Sequence, residues 1–247
     1  MIVMIFAAGL GKRLKPLTDR MPKALVPIGG KPLLQIQLDK LYAHGVRRVI
    51  VNVHHFADMM VDYINQHHRD GLEIIVSNEK DKLLDTGGGL KKAGKMMAER
   101  GITEPIVIHN VDILDNADLD AFYKQLQPGV DAVLMVNPRQ TKRYLLFDDD
   151  MRLVGWTNVE TGEVKTPYLD LDVASCRKLA FTGMHVVGQN VFKAMDSMPD
   201  VFSIIDFYVS QCKSLVIKGY VPAGLKIIDV GKIGELEHAE MFYKENY

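Results

Sequence analysis

The sequence predicts an α/β fold built around a mixed, mainly parallel sheet with a small β insertion. In the first half of the chain, short apolar runs typical of buried strands alternate with longer helix-like segments, a spacing that implies βαβ crossovers. Glycine follows three of the predicted helices, at Gly45, Gly71 and Gly101, where helix C-caps favour this residue. From Arg143 to Thr166 the chain is polar and turn-rich, which indicates a hairpin insertion rather than another crossover.

The strands of the first half are predicted from runs rich in Ile, Val and Leu, at Ile2–Phe6, Arg48–Val53, Leu72–Ser77, Pro105–His109 and Ala132–Asn137. The helices between them are predicted at roughly Pro32–His44, Ala57–His68, Gly88–Arg100 and Ala117–Leu126. After the insertion follow a strand, a helix, two short strands and a closing helix, at Ala180–Val187, Ser203–Cys212, Val216–Gly219, Lys226–Val230 and Gly234–Tyr243. Because no repeat or low-complexity linker interrupts the chain, we expect one domain, 1–247, made of two lobes at about 1–137 and about 138–247.

Composition excludes several classes of protein. The chain has 247 residues, with 30 Lys and Arg against 31 Asp and Glu, so it has no excess of basic residues that would indicate binding to nucleic acid or to an anionic membrane. Its two cysteines, Cys176 and Cys212, lack metal-ligand spacing and favour a reducing compartment. The N-terminal apolar run stops at Ala8, too short for a signal peptide, and no run reaches membrane-spanning length. We therefore expect a cytoplasmic protein with neither a nucleic-acid nor a membrane partner.

The loop after the first strand carries the strongest functional signal. Its small residues let a ligand approach the backbone, its cations attract anions and its prolines stiffen it; these are Ala7, Ala8, Gly9 and Gly11, then Lys12, Arg13 and Lys23, and the prolines at 16, 22 and 27. A bare loop with a forked guanidinium and an ammonium is a suitable cradle for a polyphosphate. The alternative is a glycine-rich turn with solvated cations.

Two other phosphate-binding motifs do not match this loop. A dinucleotide fingerprint needs a third glycine where Leu14 stands and an acidic residue about 20 positions later, whereas the next strand ends Val51-Asn52-Val53-His54. A P-loop needs Gly-Lys-Ser or Gly-Lys-Thr, but Gly11-Lys12 precedes Arg13 and Gly30-Lys31 precedes a proline.

The loop resembles the signature of the sugar-1-phosphate nucleotidylyltransferases, roughly Ala-Ala-Gly-x-Gly-Thr-Arg-Leu, Pro-Lys and Gly-Lys-Pro. Positions 7–9, 11, 13, 14, 22, 23 and 30–32 match it, while Lys12 replaces the usual Thr or Ser, either as a third cation or as a solvated side chain. The resemblance implies a Rossmann-like nucleotide-diphospho-sugar transferase fold, in which the lobe at about 1–137 binds the nucleotide and the lobe at about 138–247 binds the sugar. It also implies nucleotide-binding roles for Ala7, Ala8, Gly9, Gly11, Lys12, Arg13 and Lys23.

Two acidic segments extend the resemblance. Asn110-Val111-Asp112 resembles the family's Asn-x-Asp segment, which implies that Asn110 binds nucleotide and that Asp112 binds a divalent metal. Lys226–Gly231 resembles its Trp-x-Asp-Val-Gly segment, with Ile227 at the Trp position and Asp229 as the second metal ligand. The alternative for Asp112 is a helix N-cap or an Asx-turn, and the alternative for Asp229 is the N-cap of the final helix. If the two carboxylates share a cleft, a hard cation relieves their repulsion, which points to Mg²⁺.

Two further segments resemble the family's base and sugar sites. Asp85–Gly89 is similar to its Gly-Thr-Gly segment and implies nucleobase contacts for Thr86 and Gly87, although Thr86 also fits a helix N-cap. Thr182-Gly183 resembles its Thr-Gly-Ile segment beside the sugar. The Glu-Lys-Pro segment of hexose-specific members is missing, and Leu169–Asp172 stands in its place. In this absence the chain resembles the short N-acetylmuramate-1-phosphate uridylyltransferases and some mannose-1-phosphate guanylyltransferases.

Three other side chains are open in role. His54 and His55 follow a strand and are candidate substrate-edge residues, and Trp156 in the insertion is either a lid or a dimer contact. His67 and His68 close an amphipathic helix, where cations suit the helix dipole, so we assign them no chemistry.

The resemblance implies an enzyme that joins a sugar 1-phosphate to a nucleoside triphosphate, with UTP or GTP favoured, to give a nucleotide sugar for cell-wall or polysaccharide synthesis and pyrophosphate. Catalysis would rest on Arg13, Lys23, Asp112, Asp229 and Mg²⁺. One alternative is a glycosyltransferase of GT-A type, for which Asp170-Leu171-Asp172 supplies an Asp-x-Asp string away from the expected strand end. The other is a nucleotide-sugar sensor, against which the presence of all four site residues argues.

Overall fold

The chain folds into two compact units, each assembled from separate stretches of sequence. The computed structural model describes residues 1–67 and 69–247. The first unit consists of Met1–Leu84, Ile108–Ala117 and Leu225–Tyr247, and the second of Asp85–Val107 and Asp118–Gly224. These units divide the chain at other points than the lobes proposed from the sequence, which stay a prediction.

Strands and helices alternate along the first half as predicted. The described strands are β1 (Ile2–Phe6), β2 (Pro27–Ile28), β3 (Lys31–Pro32), β4 (Arg48–Val53), β5 (Glu73–Asn78), β6 (Ile106–Asn110), β7 (Ile113–Asp115), β8 (Ala132–Asn137), β9 (Arg143–Phe147), β10 (Leu153–Asn158), β11 (Glu163–Lys165), β12 (Arg177–Val187), β13 (Ile217–Tyr220) and β14 (Ile227–Asp229). The described α-helices are α1 (Leu33–Ala43), α2 (Ala57–Gln66), α3 (Asp85–Glu99), α4 (Leu119–Tyr123), α5 (Gln189–Met195), α6 (Ile204–Gln211) and α7 (Leu236–Asn246). No helix in these ranges combines the length and the apolarity that a membrane crossing requires.

The predicted α/β class is confirmed, and β1, β4 and β8 have the predicted bounds because each is an apolar run rich in Ile, Val, Leu and Met. The ends of other elements differ. Helix α3 begins three residues earlier than predicted, and α4 has only five residues. Helix α2 ends at Gln66, and His68 lies outside the described residues. Sequence patterns missed β7 and α5, since a three-residue strand and a seven-residue helix are too short to show a period.

Parallel pairing organises the sheet of the first unit. The strand order is β6-β1-β4-β5, with the residues of β6 from Ile108 onward belonging to this unit. Strand β1 pairs in parallel with β4, Ile2 opposite Arg48, and β4 pairs in parallel with β5, Arg48 opposite Glu73. Because parallel strands end at one edge of the sheet, the loops that follow them lie at that edge, where ligands bind in such folds.

Antiparallel pairing dominates the second unit, which contains the insertion. Strands β9, β10 and β11 form an antiparallel meander, and β9 continues onto β12. Strand β12 also pairs antiparallel with β8, and β13 pairs with β8 in parallel. The predicted small β insertion is therefore present, with a third strand that the sequence did not indicate.

A buried ionic network stabilises the region around β7 in the first unit. The fully buried Asp115 carboxylate accepts hydrogen bonds from Lys40 Nζ at 2.6 Å and from Ala117 N at 2.9 Å, and its Oδ2 lies 2.8 Å from His109 Nε2. The Tyr247 phenol donates to the Asp115 carbonyl at 3.0 Å. Burial by itself would raise the pKa of Asp115, but His109 and Lys40 lower it to well below the usual range. Asp115 is therefore held ionised, and it ties β6, β7, α1 and α7 together.

We predict that Asp115→Asn destabilises the protein strongly and in a pH-dependent way. Loss of the carboxylate leaves the buried Lys40 ammonium uncompensated, which should lower the free energy of unfolding at pH 7 by about 3–5 kcal/mol. A lowered carboxyl pKa stabilises the fold fully above the unfolded value of about 4, and this contribution is lost as the pH falls. The gap between parent and variant, measured by urea unfolding, should thus narrow from about pH 5 downward.

The matched control is Asp118→Asn. The exposed Asp118 caps α4 by accepting from Ala121 N at 2.9 Å, and Asn caps helices equally well. This variant should stay within about 0.5 kcal/mol of the parent. A gap for Asp115→Asn that is the same at pH 7 and pH 3 would contradict the role given to the buried carboxylate.

Candidate functional site

A buried amide–carboxylate pair holds the start of the glycine-rich loop. Asn52, near the end of β4, accepts hydrogen bonds at Oδ1 from Ala7 N at 2.7 Å and from Ala8 N at 3.3 Å. Its Nδ2 donates to Glu79 Oε1 at 2.8 Å, and both side chains are only 3% exposed. The Ala7 and Ala8 N–H groups therefore bind within the protein. Sequence reasoning missed this pair; the one available signal was a polar Asn inside the apolar run of β4.

The next part of the loop combines open backbone with exposed cations. Gly9 has no atom within 4 Å of the position that a Cβ would take, so a ligand has room against its backbone. Gly11 adopts φ +62°, and a Cβ there would lie 2.7 Å from Thr18 Cγ2, so two constraints require glycine. Lys12 and Arg13 follow in a 3₁₀ turn, and both are exposed.

Asp112 and Asp229, which lie 117 positions apart in the sequence (229 minus 112), are brought together by strand pairing. Strand β14 pairs antiparallel with β7, which sets Asp229 opposite Ile113, the residue after Asp112. Val230 N donates to the Asp112 carbonyl at 2.8 Å. The two acids thus lie at the same end of one short ribbon, as the sequence interpretation required.

Neither acid acts as a helix cap. The cap of α4 is Asp118, and Asp229 Oδ1 accepts from Gly231 N at 2.8 Å in a tight turn well before α7. The capping alternative for Asp112 and Asp229 is therefore wrong.

The two loop cations lie beside the two acids. Lys23 Nζ donates to Asp112 Oδ2, and the side chains of this pair are only 11% and 17% exposed. The Arg13 guanidinium and the Asp229 carboxylate both flank Gly231, where a Cβ would lie 2.8 Å from Arg13 Nη2 and 2.5 Å from Asp229 Oδ1. The first unit therefore gathers all four predicted catalytic residues around the β7–β14 ribbon.

The two carboxylates of this site fit Mg²⁺ better than they fit a metal ion whose ligands are all protein side chains. Within residues 1–67 and 69–247, no group of three or more His, Cys, Asp or Glu side chains is placed to hold a metal ion. Asp112 and Asp229 supply two carboxylates, and Mg²⁺ is commonly held by one or two carboxylates together with water and substrate phosphates. Asn110, predicted to bind nucleotide, ends β6 and is half-buried close by in sequence.

The predicted nucleobase residues lie in the second unit, where their polar groups have structural partners. Thr86 Oγ1 accepts from Ile204 N at 3.0 Å, at the start of α6, and Gly87 N donates to the Phe202 carbonyl at 2.9 Å. A Cβ on Gly87 would lie 2.3 Å from two ring carbons of Phe202, so packing alone requires glycine there. Thr86 caps a neighbouring helix rather than its own, and the nucleobase roles of Thr86 and Gly87 stay predictions.

The predicted sugar residues lie on β12 in the same unit. The buried Thr182 hydroxyl donates to the Met135 carbonyl at 2.8 Å, so it is engaged with β8, while Gly183 adopts φ +92°. Side chains alternate along a strand, and the preceding Phe181 lines a cavity of about 480 Å³. Trp156 lines the same cavity. The sugar-binding roles of Thr182 and Gly183 stay predictions.

The remaining candidates have local structural partners. His54 Nδ1 lies 2.7 Å from the Glu79 carbonyl oxygen, and the ring centroid of His55 lies 4.2 Å from that of Phe56. Asp170 and Asp172 lie between β11 and β12, where Asp172 accepts from Ala174 N at 2.9 Å in a turn. The Asp-x-Asp string therefore does not follow a strand of the parallel sheet, which weakens the glycosyltransferase alternative.

The chain is similar in sequence to several known proteins. The family model described as nucleotidyl transferase matches residues 2–144. An N-acetylmuramate alpha-1-phosphate uridylyltransferase from Caulobacter vibrioides is 30% identical over 231 residues, which cover 91% of this chain and 89% of that protein. A mannose-1-phosphate guanyltransferase beta-B from Xenopus laevis is 36% identical over 115 residues, which cover 46% of this chain and 31% of that protein.

A solved structure shares the fold. HddC from Yersinia pseudotuberculosis, complexed with GMP-PN, superposes with a TM-score of 0.77 at 22% identity, and the match covers 98% of this chain and 99% of that chain. The family model covers more than half of the chain, and the Caulobacter relative matches most of it. The resemblance drawn from the loop is thereby confirmed: the chain belongs to the nucleotidyl transferase family.

Proposed function

We propose that this protein is an N-acetylmuramate 1-phosphate uridylyltransferase, which joins that sugar phosphate to UTP and releases pyrophosphate. The observation that carries the proposal is the gathering of Arg13, Lys23, Asp112 and Asp229 around one ribbon. The choice of sugar and base rests on the Caulobacter relative, which aligns with nearly the whole chain, whereas the guanyltransferase relative aligns with less than half. The reaction would take place in the cytoplasm and supply a nucleotide sugar for cell-wall or polysaccharide synthesis.

The chemistry needs positioning and charge neutralisation rather than a general base. An oxygen of the sugar phosphate is already ionised near neutral pH and attacks the α-phosphorus of the nucleotide in line. A new P–O bond forms as the bond from the α-phosphorus to the bridging oxygen breaks, and pyrophosphate carries away the electron pair. In such transfers, fixed cations aimed at the developing charge provide most of the rate enhancement.

The site residues divide these tasks. The exposed Arg13 guanidinium can bind two oxygens of the departing phosphates at once. The Lys23 ammonium, which donates to Asp112, would bind oxygens of the α-phosphate. Asp112 and Asp229 would hold Mg²⁺, which when bound offsets phosphate charge and orients the reacting groups. The open backbone at Gly9 leaves room for the triphosphate to approach the loop.

We predict that Lys23→Ala lowers turnover by about 100-fold or more, the effect of removing one group that stabilises transition-state charge. Pyrophosphate release, followed with a coupled assay, measures it. Lys15→Ala is the control, because Lys15 lies in the same loop but is 60% exposed and pairs with Asp19 at 2.9 Å. Parent-like turnover of the Lys23 variant would remove this residue from the mechanism.

A second prediction concerns the metal. Asp112→Asn and Asp229→Asn should each weaken Mg²⁺-dependent binding of UTP by about tenfold or more, since each removes one charged ligand. Isothermal titration with and without Mg²⁺ measures binding independently of turnover, and Asp19→Asn is an exposed control from the neighbouring loop. Unchanged Mg²⁺–UTP binding in both variants would exclude the pair as the metal site.

A pyrophosphate-release screen tests the substrates. UTP, GTP, CTP and ATP are crossed with N-acetylmuramate, N-acetylglucosamine, glucose and mannose 1-phosphates, and we expect the highest kcat/KM for UTP with N-acetylmuramate 1-phosphate. A preference for GTP with mannose 1-phosphate would overturn the proposal in favour of the guanylyltransferase alternative. Nucleotide-sugar binding without pyrophosphate release from any pair would favour a sensor.

A further inference from the structure

The cavity in the second unit is an aromatic pocket with cations at its edge. Tyr144, Trp156 and Phe181 line it, each half-buried, and its volume of about 480 Å³ is in the range of small-molecule sites. The residues that line it come from the loop between β8 and β9, from β9, β10, β11 and β12, and from the start of α6. Nothing in the family comparison or in the sequence motifs assigns Tyr144 or Trp156 a ligand.

The charges that line this cavity do not balance. The two acids of the lining, Asp206 and Glu163, both lie near Lys165: its Nζ is 2.9 Å from Asp206 Oδ1 and 3.9 Å from Glu163 Oε1. Arg139 and Arg143 are both exposed, and in the described part of the chain neither forms an ion pair with a carboxylate. One long contact at 3.4 Å joins Arg139 Nη2 to the Phe181 carbonyl. The aromatic pocket therefore carries two guanidinium groups with unused hydrogen-bonding capacity.

This combination selects a particular ligand chemistry. Aromatic faces bind the apolar faces of a sugar ring, and a guanidinium binds a carboxylate with two parallel hydrogen bonds. Apart from its 1-phosphate, a sugar without an acid offers these two guanidinium groups no anion to bind. From these contacts we propose that the cavity binds the sugar moiety, and that Arg143 together with Arg139 binds a carboxylate carried by that sugar. The inference rests on the proposed function and names its specificity determinants: the enzyme selects sugar 1-phosphates that bear an acid.

Two substrates that differ only in the acid provide the test. N-Acetylmuramate 1-phosphate is N-acetylglucosamine 1-phosphate with a lactyl ether that ends in a carboxylate. We expect Arg143→Ala to lower kcat/KM for the acid-bearing sugar by about 10- to 100-fold, the range for a charge-assisted hydrogen bond, and Arg139→Ala to have the same direction of effect. For N-acetylglucosamine 1-phosphate the change should stay within about threefold, and Arg143→Lys should recover part of the loss.

The control and the contrary outcomes separate this inference from the function itself. Lys142→Ala changes a neighbouring cation that is paired with Glu160 at 2.7 Å and lies outside the lining, and it should leave the ratio of the two kcat/KM values unchanged. An equal loss for both sugars would assign the arginines to the 1-phosphate and overturn the proposal. A parent enzyme without preference between the two sugars would overturn it as well.

A binding measurement decides the matter even if the proposed reaction is wrong. Free N-acetylmuramate and free N-acetylglucosamine are titrated into the full chain and into the Arg143→Ala variant. Tighter binding of the acid by the parent, lost in the variant, supports the pocket whatever reaction the protein catalyses. Equal binding of the two sugars by the parent overturns it, while failure of the pyrophosphate screen alone counts only against the proposed function.

Discussion

The candidate catalytic arrangement depends on one short antiparallel ribbon, β7 with β14. A three-residue strand from the middle of the chain pairs with a three-residue strand near its end, and the hydrogen bond from Val230 N to the Asp112 carbonyl closes the ribbon. Two carboxylates that repel each other are thereby placed close together, beside the Lys23 ammonium and the Arg13 guanidinium. Such a cluster is stable because the cations offset the acids, and the same cations suit it to bind phosphate.

Buried polar groups keep the loops of this site in place. Asn52 binds the backbone N–H groups of Ala7 and Ala8 and is itself held by Glu79, and Asp115, at the end of β7, binds Lys40 and His109. Burying such groups is costly unless every one is hydrogen-bonded, so an apolar core would have been a simpler way to gain stability. Their value here is directional: hydrogen bonds fix the position of a loop, which apolar packing does less strictly.

In the second unit, residues of the family motifs make contacts that stabilise the fold. Gly87 fits against Phe202, Thr86 caps α6, and the Thr182 hydroxyl joins β12 to β8. Each of these residue types is explained by its own contacts. In contrast, Trp156 and Tyr144 lie outside every motif, yet they line the cavity of about 480 Å³ together with Arg139 and Arg143.

The sequence by itself determined the α/β class and the family, because apolar periodicity and a long, spaced loop motif are local properties of the chain, whereas the catalytic roles that it suggested for Arg13, Lys23, Asp112 and Asp229 stay predictions. Its predicted strands β1, β4 and β8 needed no tertiary information for the same reason. Only the tertiary structure decided that Asp112 and Asp229 meet, that neither caps a helix, and that Asn52 and Asp115 hold the loops. Apart from the helix caps, which are local hydrogen bonds, those facts depend on contacts between residues tens to more than a hundred positions apart, which no local pattern encodes.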